Sequence, residues 1–101
     1  IVQEEQFAPI LPVLSYSDLD DAIFRANDSP YGLGGTIWAK DVDRAFGVAN
    51  EIESGMVWIN KFLDLPPDVP LSGAKQSGVG TEQGIDGLEE FTQMRIVSIA
   101  K

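Results

Sequence analysis

The side chains that could do chemistry here are carboxylates, the Lys75 amine and two tyrosine hydroxyls, because cysteine and histidine are both absent. Their absence excludes disulfides, zinc sites built on thiolate or imidazole, and Cys–His or Ser–His–Asp nucleophile systems. No metal centre and no complete catalytic set is therefore expected within the chain. Glu4 and Glu5 are adjacent, but acid–base work needs a perturbed pKa and a partner group. Beside a chain terminus, two solvated charges are the simpler reading. Gly78-Val79-Gly80 with Gly84 has the glycine spacing of a dinucleotide loop. No strand precedes it directly, and no βαβ unit with a ribose-binding acid follows it within these residues, so it is not read as an independent nucleotide fingerprint. Trp38 and Trp58 fall in β-prone runs, where core packing is the expected role.

The elements that would position these residues are legible in the pattern. Ile10 to Tyr16 reads as a short strand weakened at its ends by Pro9 and Pro12. Ser17 and Asp20 resemble a capping box, and Leu19, Ala22, Ile23 and Ala26 form one helical face. Asn27 to Pro30 stops that helix. Gly32, Gly34 and Gly35 suggest a turn into a second strand, Thr36 to Ala39. Asp41 caps a second helix with Val42, Ala45, Phe46, Ala49 and Ile52 on one face. Gly55 stands where a C′ glycine would end it, and Met56 to Asn60 is a third strand. An offset of 23 residues relates the two helical units, pairing Asp18 with Asp41, Ala22 with Ala45 and Asn27 with Asn50. Shared capping and packing demands explain it as well as a true repeat does.

The fold class expected is α/β: a β-α-β-α-β parallel unit, then a long Pro/Gly loop, a short helix and a terminal strand. The loop runs from Lys61 to Gly84, the helix from Gly84 to Thr92, and the strand from Arg95 to Ala100. A terminal strand with nothing beside it is an open edge unless something pairs with it.

Composition narrows the function classes. The chain has 101 residues, one domain by size, with 44% hydrophobic and 23% charged residues, close to a soluble globular average. A net charge of −9 repels phosphate backbones and anionic lipid, so neither nucleic acid nor a membrane surface is an expected partner. No apolar stretch approaches the roughly 20 residues of a membrane helix. The first residues have no signal-peptide pattern, and a cytoplasmic location is expected.

Four ordered segments resemble the NAD(P)-dependent aldehyde dehydrogenase superfamily. Glu4-Glu5-Gln6-Phe7-Ala8-Pro9-Ile10-Leu11-Pro12-Val13 is similar to its EE-x-FGP-V segment. Ala26-Asn27-Asp28-Ser29-Pro30-Tyr31-Gly32-Leu33 is similar to AN-x-(S/T)-x-YGL. Ser54-Gly55-Met56-Val57-Trp58-Ile59-Asn60 is similar to (A/S)G-x-VW-(I/V)N. Pro70 to Gly80 is similar to PFGG-x-K-x-SG-x-G, and Gly87 to Thr92 to the closing GL-x-x-(F/Y)T. Ala8 stands where that family usually has Gly, and Leu71-Ser72 where it usually has Phe-Gly.

The resemblance implies roles residue by residue. Glu5 matches the glutamate that binds the nicotinamide ribose hydroxyls, and a carboxylate can accept both hydrogen bonds of a diol. Phe7 matches the aromatic at the nicotinamide–ribose end. Asn60 and the Lys61–Asp68 loop, Phe62 included, match the substrate tunnel. Gly73, Lys75, Ser77 and Gly78 match a mainly architectural signature, and residues 93–101 a strand used in subunit assembly. The cofactor implied is NAD or NADP, held weakly or not at all by this chain alone. The cysteine nucleophile, the water-activating glutamate and the cofactor domain lie upstream of the matched region in that family. The chain, residues 1–101, is thus expected to be the C-terminal part of an aldehyde dehydrogenase-like catalytic domain. It would be an excised fragment, a truncated frame or one piece of a split protein, inactive alone and self-associating, most simply as a dimer. Two alternatives stand beside this reading. One is a stand-alone non-catalytic protein–protein interaction module derived from the fold. The other is a small acidic binding domain that matches the motifs by chance.

Overall fold

Asp18 opens the first helix. Its backbone is extended, and its side chain accepts a hydrogen bond from the Asp20 amide at 3.1 Å. Ser17 does not cap: the aspartate one residue later is the stronger acceptor for the positive end of the helix dipole. This helix, α1 (Leu19–Asn27), is tightened by an Arg25–Asp21 ion pair across one turn at 2.9 Å. The computed structural model describes all 101 residues. Two strands follow, β1 (Tyr31–Gly32) and β2 (Gly34–Ile37), so the glycines expected in a turn lie within strands. Asp41 caps α2 (Val42–Ala49) as expected, accepting from the Arg44 amide at 3.0 Å.

α2 ends earlier than its apolar pattern suggests. Asn50 is the C-cap, and Glu51 to Ser54 form turns that lead into β3 (Met56–Ile59). Gly55 is therefore not a C′ glycine. A Cβ there would collide with the Ser72 carbonyl oxygen, so its lack of a side chain serves close backbone packing. β2 and β3 pair in parallel, Gly34 with Met56 through Ile37 with Ile59. With α2 between them, they form one β-α-β unit.

The α/β class stands, but further details differ from the sequence pattern. Residues 10–16 form no strand: they are exposed and pair with no other strand. Pro9 and Pro12 withhold two ladder donors, and no neighbouring strand offers the rest. Lys61–Gly84 is not structureless. It holds β4 (Leu71–Ser72), β5 (Ala74–Lys75) and β6 (Thr81–Glu82), with β4–β6 and β1–β5 both antiparallel. The closing helix, α3, covers only Gly84–Glu89, and residues 93–101 form no strand because no partner strand reaches them.

The core is small. Ile23, Ala45 and Trp58 are its buried apolar side chains. Trp38, expected beside Trp58, is 69% exposed. It lies one residue beyond the β2–β3 ladder, outside the layer that α2 covers. The radius of gyration is 17.9 Å, whereas a compact chain of this length has about 13 Å. The extents of 68 × 33 × 23 Å describe an elongated body whose middle is packed and whose ends are spread.

Candidate functional site

The middle of the chain is tied together by side chains from two of the ordered segments and by Glu53 beside a third. The Asn27 side chain donates to the Glu51 carbonyl at 2.7 Å and accepts from the Glu53 amide at 2.9 Å. The Lys75 ammonium donates to the Asn27 carbonyl at 2.6 Å and pairs with the Glu53 carboxylate at 2.7 Å. The Ser77 hydroxyl accepts from the Gly32 amide at 2.8 Å. One lattice thus fixes the end of α1, the turn before β3 and the β5 region. The motifs give Lys75 and Ser77 an architectural role, but nothing local in the sequence marks Asn27 as the hub. Its counterpart at the 23-residue offset, Asn50, merely donates to Phe46 at the end of its own helix. The helix-cap aspartates perform the same task twice; the asparagines do not.

An open concavity of about 740 Å³ lies against this lattice. One wall is the N-terminal segment with Glu4, Glu5 and Phe7; the opposite wall includes Tyr31, Gly34, Gln76 and Ser77. Glu5 is exposed and enters none of the three ion pairs of the chain. Phe7 is 95% exposed and has a positive φ of 45°, an uncommon conformation for a bulky residue. Its ring buries nothing within the chain. Glu4, the other half of the carboxylate pair, lines the same concavity.

Asn60 and Phe62 are elsewhere and do not line it. The Asn60 side chain accepts from the Ala39 amide and donates to the Ala39 carbonyl, both at 2.8 Å. It closes the far end of the parallel strand pair. Phe62 follows in the loop and is exposed. The structure therefore brings together Glu5 with Phe7, and separately Asn60 with the loop that carries Phe62. No cluster of three or more carboxylates is placed to hold a metal ion. No helix is long and apolar enough to cross a membrane.

The glycines Gly78, Gly80 and Gly84 do not form a phosphate cradle. They lie around β6 and the start of α3, and Glu90 flanks Gly80. A carboxylate there opposes a bound phosphate.

The sequence model of the aldehyde dehydrogenase family matches residues 1–97. Among solved structures, betaine aldehyde dehydrogenase from Staphylococcus aureus in complex with NAD+ is 47% identical, with a TM-score of 0.86. The match covers 89% of this chain and 18% of that one. Mycobacterium tuberculosis aldehyde dehydrogenase complexed with NAD+ is 43% identical with a TM-score of 0.86, covering 90% of this chain and 19% of that one. The protein Gox0499 is 41% identical with a TM-score of 0.91, covering 98% and 22%. The chain spans about a fifth of the length of the structures it matches.

Proposed function

The chain belongs to the aldehyde dehydrogenase family, and from that premise we propose that it is a portion of an aldehyde oxidoreductase contributing nicotinamide–ribose contacts and part of the substrate tunnel. The reaction is oxidation of an aldehyde to a carboxylic acid with NAD or NADP. The observation that carries the reading is the Glu5 carboxylate, free of ion-pair partners, beside the unburied Phe7 ring on the wall of an open concavity. A free carboxylate suits a ribose diol, and an exposed aromatic suits the flat ring attached to it. The rest of a dinucleotide fits poorly. The concavity carries Glu4 and Glu5 and no lysine or arginine side chain, so pyrophosphate has no counter-charge there. Phosphates and adenine would be held by other parts of the enzyme.

In this reading Glu5 orients the nicotinamide ribose and Phe7 shields one side of it. The bound nucleotide supplies a hydride acceptor. Asn60 fixes the root of the loop from which Phe62 lines the aldehyde's path. The chain has no cysteine, so no thiohemiacetal forms on it and the isolated chain oxidises nothing. The exposed Ile96, Val97 and Ile99 offer a segment for pairing, with a second copy or with the remainder of an enzyme.

A chimera tests this directly. This chain replaces the corresponding fifth of the Staphylococcus aureus enzyme. The chimera is expected to oxidise aldehyde with NAD, and Glu5→Gln is expected to raise the KM for NAD at least severalfold. A folded chimera whose NAD KM ignores Glu5→Gln and Phe7→Ala would refute the assignment. For the isolated chain, NAD affinity is expected to be weaker than a Kd of about 10 μM, near −7 kcal/mol, by calorimetry.

A further inference from the structure

We propose that Trp58 is a positioning residue for the aldehyde path, acting with Asn60 as a two-point clamp on the Lys61–Asp68 loop. The inference rests on the reading above that Phe62 in this loop lines the path. The first point is Asn60. Its φ of 55° turns the chain out of β3, and its side-chain amide grips both backbone groups of Ala39. The second point is Trp58. Only 8% of it is exposed, and its indole N–H donates to the Asp64 carbonyl at 2.9 Å.

Between the two points the loop makes a tight excursion. Leu63 has a φ of 48°, and Lys61 pairs with Asp64. Phe62 and Leu63 are consequently held outward while the chain on either side is pinned. The indole is itself held in place by the strand beside it. A Cβ on Gly34 would stand 2.7 Å from the Trp58 ring, so glycine at that position lets the ring approach β2 closely. Trp58 therefore does more than fill the core. A phenylalanine could occupy much of the same space, but it could not donate to Asp64. The asymmetry of a hydrogen bond is decisive here, because a nearly buried N–H without a partner is disfavoured and the loop is its partner.

The test uses Trp58→Phe and Asn60→Gly, the latter keeping access to positive φ while removing the side-chain grip. In the chain, backbone order parameters at residues 62–65 are expected to fall in Trp58→Phe from about 0.85 toward about 0.6, with the β2–β3 strands little changed. Unchanged loop order parameters in Trp58→Phe, with the ladder intact, would overturn the clamp. Asn60→Gly guards against a packing artefact, since it touches no core side chain and should loosen the same residues. In the chimera, Trp58→Phe is expected to raise the aldehyde KM severalfold and to leave the NAD KM unchanged. A mobile loop with an unchanged aldehyde KM would instead refute the placement of Phe62 on the aldehyde path, leaving the clamp without its role. A purely structural tryptophan would move both KM values or neither.

Discussion

The β2–α2–β3 unit and the two ends of the chain are made of similar residues but have opposite fates. Within Gly34–Ile59, β2 and β3 pair through four residue pairs and Ala45 and Trp58 are buried. Residues 1–17 are exposed throughout, as are residues 91–101, although they include Leu11, Val13, Ile96 and Ile99. Hydropathy does not separate these regions. What separates them is whether a partner lies within reach along the chain. The middle unit closes its own ladder through a short helix, whereas neither end finds a strand to pair with. Apolar residues become core only where topology brings a second surface to them.

This contrast can be tested with one observable, amide protection in the β2–β3 ladder. The largest effect is expected from Gly55→Ala. The added methyl would meet the Ser72 carbonyl, and separating the two backbones should cost about 3 kcal/mol or more. Ladder protection should then vanish in exchange experiments. Retained protection would mean that the middle unit does not depend on the β4 region at all.

Asn27→Ala comes next. It removes two hydrogen bonds to the turn before β3 and should lower ladder protection by about 1–2 kcal/mol. Asn50→Ala, its counterpart in the offset pattern, should matter less, since it breaks one bond inside its own helix. Equal losses would show that the two asparagines are equivalent and that the lattice adds nothing. Asp41→Ala removes the cap of α2 and is expected to cost roughly 1 kcal/mol, readable in the same exchange rates.

The smallest effect on the ladder should come from the ends. Truncation after Met94 is expected to change ladder protection by less than about 0.5 kcal/mol, because surface changes away from packed features rarely exceed that. The same truncation should weaken self-association. Sedimentation across a concentration series would measure this, with a dimer expected for the full chain and a monomer after truncation. A clean monomer near 11.0 kDa for the full chain would remove the terminal segment from any role in pairing between copies.

Several features were open to reading from residues alone. Asp41 before Val42 was a helix cap, and its side chain caps. Met56 to Asn60 reads as a short apolar strand, and all of it but Asn60 pairs in parallel with β2. The ordered segments that resembled the aldehyde dehydrogenases fixed the family. Each of these depends on neighbours a few residues away, or on an ordered set of short segments, so a linear reading suffices. The failures share the opposite property. Ile10–Tyr16 and Arg95–Ala100 carry strand-like composition, but a strand exists only when another strand supplies its hydrogen bonds. Gly55 looked like the end of a helix and instead makes room for Ser72, 17 residues later. Trp38 and Trp58 were indistinguishable by type and local pattern, and only the layer formed by α2 against β3 decided which is buried. Asn27 shares its sequence context with Asn50, and only the approach of Glu51, Glu53 and Lys75 made it a hub. Caps, turns and family signatures are local quantities that the chain carries with it. Partners for strands, glycines and buried donors are set by contacts across long sequence separations, and only tertiary structure specifies those.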